Sequence, residues 1–154
     1  MQLAHYLDFD SIRLGMSAKT KRALIGQLST IAAQRLGLAA ETVQACLGDR
    51  ERLGSTGFGN GVAIPHGKID GLTGVFSTVV QLADPVDYKA VDGAPVDLVF
   101  LLLSPPDAGA EHLKALAAVS RIARNPALLD KLRGARDREA FAAVLLGADE
   151  RDAA

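Results

Sequence analysis

Val96-Asp97-Leu98-Val99-Phe100-Leu101-Leu102-Leu103 is apolar at every position but one. A strand covered on a single face alternates apolar with polar residues, whereas a nearly unbroken apolar run belongs to a central strand covered on both faces. The run is far too short for a membrane span, which takes about 20 residues. It therefore calls for helices on both sides of a sheet, a three-layer α/β/α sandwich. Upstream, Val75 to Leu82 is rich in β-branched residues and reads as a second strand. Asp84-Pro85 and Asp92-Gly93 read as turns between the two. Downstream, Pro105-Pro106-Asp107 breaks the chain and a helix follows from about Gly109 to Ala123, with Leu113, Leu116, Ala117 and Ser120 as its inner stripe. Asn125-Pro126 restarts a short helix, Ala127 to Arg133. Asp137 then caps a last helix through Leu146, with Phe141, Val144 and Leu145 inward. Residues 148–154 read as a small, charged, frayed tail.

The first third of the chain supplies the other helical layer. Leu3 to Leu7 reads as a short helical lead-in and Ile12 to Met16 as a strand. Ser17 is the expected N-cap of a helix through Leu36, which Gly37 ends. Leu24, Leu28, Ile31 and Ala32 share its apolar face, leaving Lys19, Arg22 and Ser29 for water. A second helix spans Ala40 to Arg52 with Val43, Cys46 and Leu47 inward. Val62-Ala63-Ile64 is a short strand cut off by Pro65.

Composition narrows the functional classes. The 154 residues carry 17 basic and 18 acidic side chains, a formal net charge of -1. That balance offers no basic surface for nucleic acid or anionic membrane, so small molecules or other proteins are the expected partners. Cys46 stands alone and forms no intramolecular disulfide; it reads as a buried helical thiol. Met1 to Asp10 holds no basic segment followed by an apolar run, so no signal peptide is readable and a cytoplasmic location is expected.

The chemistry concentrates in Gly54-Ser55-Thr56-Gly57-Phe58-Gly59-Asn60-Gly61-Val62-Ala63-Ile64-Pro65-His66-Gly67-Lys68. It is not a Walker A loop: counting back from Gly67-Lys68, the first position is Val62 and the last Ile69. A dinucleotide fingerprint starting at Gly57 needs glycine where Val62 stands. His5, His66, His112 and Cys46 show no paired metal-ligand spacing, and no G-x-S-x-G elbow exists, so neither a metal nor a cofactor is expected. What remains is an imidazole nucleophile, whose lone pair is free near neutral pH and can accept a phosphoryl group. Such a transfer needs donors at the equatorial phosphoryl oxygens. Backbone N–H groups of the glycine-rich turn, Gly57 among them, the Ser55 and Thr56 hydroxyls, and the Arg50 guanidinium would supply them. Bland readings stand beside these. His66 is equally an incidental residue of a long polar loop, Arg52 a solvated neighbour of Arg50, and His112 a half-buried histidine at a helix start. Lys68 serves docking or merely caps the exposed loop.

The residues Arg50-Glu51, Gly54-Ser55-Thr56-Gly57 and Gly59 through Lys68 resemble the active-site signature of the enzyme IIA components of the bacterial phosphotransferase system. The class is the mannitol/fructose one (the EIIA type-2 domain). The resemblance continues through Asp92-Gly93, Pro95 to Phe100 and His112-Leu113, and gives a single domain over residues 3–147. It implies a mixed β-sheet between helices. It also implies that His66 is the phosphoacceptor, modified at Nε2 by a phosphohistidine HPr-like carrier, with Arg50 and His112 as the phosphate-contacting arginine and second active-site histidine. The family's glycine-rich loop maps its donors onto Ser55, Thr56 and Gly57. Phe58 departs from the smaller aliphatic residue familiar there and alters the rim that partners touch. The single-domain length and His66-Gly67-Lys68 resemble the nitrogen-regulatory branch, which takes phosphate from a nitrogen-type HPr and regulates targets such as potassium transporters and sensor kinases. A stand-alone fructose or mannitol IIA, passing phosphate to a sugar-specific IIB, is the alternative.

Overall fold

The computed structural model describes residues 3–153, with side chains through residue 147. Its sheet contains β1 (Arg13–Met16), β2 (Gly57–Gly59), β3 (Val62–Ala63), β4 (His66–Lys68), β5 (Phe76–Val86) and β6 (Val96–Ser104). The strand order is β1-β5-β6-β3-β2, with β4 also paired to β6. β6 runs antiparallel to β5 but parallel to β3 and β4, and β1 is parallel to β5. The sheet is thus mixed, as the resemblance implies.

β6 occupies the position its sequence demands. Leu98 and Phe100 point into one apolar cluster, shared with Val119, Leu129 and Phe141 of the helices α3 (Gly109–Ala123), α4 (Pro126–Gly134) and α5 (Arg138–Ala153). Val99, Leu101 and Leu103 point into the opposite cluster, with Leu24 and Leu28 of α1 (Lys21–Leu36) and Val43 and Leu47 of α2 (Ala40–Arg52). All five β6 side chains are fully buried. Each contributes about 1.5–3 kcal/mol of burial relative to exposure, so a sheet with one bare face would forfeit several such terms.

Several local expectations change. Thr20, not Ser17, caps α1: its Oγ1 accepts the Ala23 N–H at 3.0 Å. Ser29 is buried rather than wetted, and its hydroxyl donates to the Ile25 carbonyl at 2.7 Å, which satisfies it within the core. The stripe of α3 runs through His112, Ala115, Ala118, Val119 and Ile122, leaving Ala117 exposed and Leu113 67% exposed. Small side chains let this helix lie close to its neighbours, so alanines rather than leucines mark its inner face. β5 continues through Asp84-Pro85 to Val86, where the pairing with β6 shifts register; exposed Pro85 leaves no ladder bond missing from a regular stretch. The glycine-rich segment holds two further strands, β2 and β4, where a loop was expected. Cys46 is half-buried, with Sγ donating to the Lys68 carbonyl at 3.4 Å. α5 continues past Leu146 to Ala153; the side chains of the expected tail lie outside the described residues.

Candidate functional site

β3 and β4 are two pieces of one strand parallel to β6, since Val62, Ala63 and His66 pair with Leu98, Val99 and Leu102 at a constant offset. Ile64-Pro65 interrupts it. The Ile64 N–H donates to the Thr56 carbonyl at 2.9 Å, and the Pro65 carbonyl accepts from Leu102 N–H at 3.0 Å. The Ile64 carbonyl lies 2.7 Å from His66 Nδ1. A carbonyl oxygen can only accept, so Nδ1 carries the hydrogen and Nε2 keeps its lone pair. The next residue is glycine for a steric reason: a Cβ on Gly67 would meet Cys46 Sγ at 2.5 Å, where α2 presses on β4.

His66 is half-buried, and burial, helped by the Arg50 charge, lowers its pKa below 6.5 against opposing pulls from the Ile64 carbonyl and Glu51. The ring is therefore neutral at pH 7. It lines a cavity of about 300 Å³ together with Arg50, Ser55, Thr56, Gly57 and Phe58. Five of the six expected site residues thus meet in one cavity. The sixth, His112, places its ring centroid 5.8 Å from that of His66. His112 sits in the first turn of α3, 8% exposed, with Nδ1 2.6 Å from the Ser104 hydroxyl at the end of β6. Burial first, then the charge His66 carries once protonated and that of Lys68, lower its pKa below 6.5 as well.

Arg50 Nη1 donates to the Gly54 carbonyl at 2.8 Å, which fixes the guanidinium against the loop while leaving its other N–H groups for a ligand. Arg52 instead pairs with Asp49 on the exposed side of α2. Lys68 is exposed at the end of β4.

The loop hydroxyls are engaged within the protein. Ser55 Oγ donates to the Tyr88 carbonyl at 3.2 Å and accepts the Gly57 N–H at 3.1 Å. Thr56 N–H donates to Glu51 Oε1 at 3.0 Å, and the Thr56 hydroxyl donates to the other Glu51 oxygen. Glu51, Tyr88 and Lys21 are residues that sequence reasoning did not single out. Glu51 adjoins Arg50 in the signature, but nothing local announces Lys21 or Tyr88. Gly57 approaches the β5–β6 connection so closely that a Cβ would lie 2.6 Å from Ala90 Cα. Val91, which lines the cavity, is 84% exposed; Leu53 at the end of α2 is 85% exposed and Leu113, next to His112 in the chain, 67%. Among the described residues no group of three or more His, Cys, Asp or Glu converges to hold a metal ion, and no helix is long and apolar enough to cross a membrane.

Comparison with known proteins identifies the family and the fold. Residues 5–147 match the family described as "Phosphoenolpyruvate-dependent sugar phosphotransferase system, EIIA 2". A nitrogen regulatory protein of Bradyrhizobium diazoefficiens is 43% identical over 136 residues, covering 88% of this chain and 89% of its own. That of Escherichia coli K12 is 36% identical over 143 residues, 90% and 86% of the two chains. The crystal structure of the nitrogen regulatory protein IIA-Ntr from Neisseria meningitidis superposes with a TM-score of 0.88 at 33% identity, over 93% of this chain and 98% of that one. The Escherichia coli mannitol IIA shares the fold, with a TM-score of 0.75 at 20% identity over 90% and 97%. The matched length, the identities and the superposed fold place the chain in the EIIA type-2 family of the phosphotransferase system, a phosphotransferase component.

Proposed function

We propose that His66 Nε2 accepts a phosphoryl group from a phosphohistidine HPr-like carrier of the nitrogen type. The observation that carries this is the Nδ1–Ile64 contact, which aims the lone pair of a neutral imidazole away from the backbone. In the transfer a bond forms from His66 Nε2 to phosphorus as the carrier's phosphorus–nitrogen bond breaks, and the departing carrier imidazole takes back its electron pair. Positive charge develops on the His66 ring, and the Ile64 carbonyl stabilises it at Nδ1–H. The Arg50 guanidinium faces the phosphoryl oxygens, where its donors match their geometry. Neutral His112, one ring away, offers a further hydrogen-bonding nitrogen. Ser55, Thr56 and Gly57 shape the cradle through bonds that fix the loop.

The phosphorylated and free forms then differ by a phosphoryl dianion beside Arg50, and this difference regulates protein targets of the potassium-transporter or sensor-kinase type. The similarity to nitrogen regulatory proteins favours this reading over a sugar-type IIA feeding a IIB. Incubation with enzyme I, the carrier and phosphoenolpyruvate should produce an acid-labile phosphate that is lost in His66→Ala. Labelling that persists in that variant would sink the assignment. Onward transfer to a sugar-specific IIB would select the transport reading instead.

A further inference from the structure

Behind the cavity wall lies a charge cluster that the phosphoacceptor mechanism does not use. Thr56 lines the cavity, and both its N–H and its hydroxyl donate to Glu51. The Glu51 side chain is nearly buried, so its carboxylate stands one hydrogen bond behind the surface that faces the incoming phosphoryl group. Burial alone would raise the Glu51 pKa, but Lys21 and Thr56 together hold it below the usual carboxylate range, so the group is an anion. An uncompensated anion at that place opposes a phosphoryl dianion.

The compensation comes from the first turn of α1. Lys21 Nζ lies 2.8 Å from Glu51 Oε1 and 4.4 Å from the centroid of the Tyr88 ring. The Tyr88 hydroxyl closes the circuit at 3.1 Å from Thr56 Oγ1, and the Tyr88 carbonyl accepts from Ser55. A single ammonium thus neutralises Glu51 and, through Tyr88, braces both hydroxyl residues of the loop. We propose that Lys21 is a positioning residue for phosphoryl transfer at His66, holding the Ser55–Gly57 cradle in place and cancelling the charge behind it. The proposal rests on the phosphoacceptor reading given above.

The test compares Lys21→Met, Lys21→Arg, Glu51→Gln and the Lys21→Met/Glu51→Gln double variant, each checked for folding by thermal unfolding. Initial rates of His66 phosphorylation are measured against carrier concentration, and the His66 ring is titrated by NMR. Lys21→Met should lower the saturated rate by about tenfold with the half-saturating carrier concentration little changed, as for a lost electrostatic contribution inside the site. Its unneutralised Glu51 should also raise the His66 pKa relative to wild type. Lys21→Arg should stay close to wild type. The double variant, having lost both charges, should recover much of the rate that Lys21→Met alone loses. A Lys21→Met protein with wild-type rate and His66 titration overturns the proposal. So does a double variant slower than Lys21→Met, which would mark the pair as structural support only. If the wild-type protein takes no phosphate from the carrier, the phosphoacceptor reading falls, and the His66 titration alone then decides whether Lys21 screens the site.

Discussion

His66 Nδ1 and the Ile64 carbonyl oxygen, two residues apart across a proline, lie 2.7 Å from each other. The contact selects the Nδ1–H tautomer, and burial keeps the ring neutral to lower pH than a free histidine. Nitrogen-15 NMR at pH 7 should therefore show a protonated Nδ1 and a bare Nε2. Phosphoryl acceptance should be flat above pH 7 and fall only once the pH drops below 6.5, the ordinary histidine value. An Nε2–H tautomer, or a rate that falls already between pH 8 and 7, would contradict the geometry.

Gly67 and Cys46 give a steric test. The close approach of α2 to β4 leaves no room for a methyl group at position 67, because it would meet Cys46 Sγ at 2.5 Å. Gly67→Ala should destabilise the fold by about 1–3 kcal/mol, the usual range for overpacking. Adding Cys46→Ala removes the obstructing sulfur and should restore at least half of the loss in a urea titration. Simple additivity of the two effects would show that the strain arises elsewhere.

The parts of the fold that the sequence discloses are those where one residue's hydropathy suffices. β6 was legible because every position from Leu98 to Leu103 is apolar and buried, with Leu98 and Phe100 on one covered face and Val99, Leu101 and Leu103 on the other. α3 was read out of phase because half of its buried residues are alanines, and hydropathy weights exposed Leu113 above buried Ala115 and Ala118. β2 and β4 are three residues each, too short to show any period, and half of their residues are glycines. In the site, Arg50, Ser55, Thr56, Gly57 and His66 fall within one stretch, which a short hairpin folds back on itself. Lys21 and Tyr88 reach Glu51 and Thr56 only through tertiary packing, so nothing in their own neighbourhoods announced them.

His66 and His112 also predict how stability depends on pH. Both have folded-state pKa values below the unfolded value of 6.5, with burial as the first cause. The unfolded chain therefore binds more protons as the pH falls below 6.5, and the histidines make stability decline through that window. Urea unfolding between pH 7.5 and 5 should show the decline, and His112→Asn should flatten part of it. An unchanged slope in that variant would mean that His112 is accessible to protons in the folded state.

The exposed apolar rim predicts where the carrier sits. Val91 lines the His66 cavity, Leu113 follows His112 on α3, and Leu53 ends α2 just before the loop; large side chains left open at such places mark a contact surface. Leu113 makes the cleanest probe, since it is exposed and adjoins His112. Leu113→Asp should change stability by no more than about 0.5 kcal/mol, as expected for a surface position. The same change should raise the half-saturating carrier concentration by roughly tenfold, equivalent to about 1.4 kcal/mol, while leaving the saturated rate of His66 phosphorylation nearly unchanged. Leu146, exposed on α5, serves as control, and its replacement by aspartate should leave both kinetic quantities alone. If the two variants behave alike, the carrier docks elsewhere and the apolar rim has another occupant.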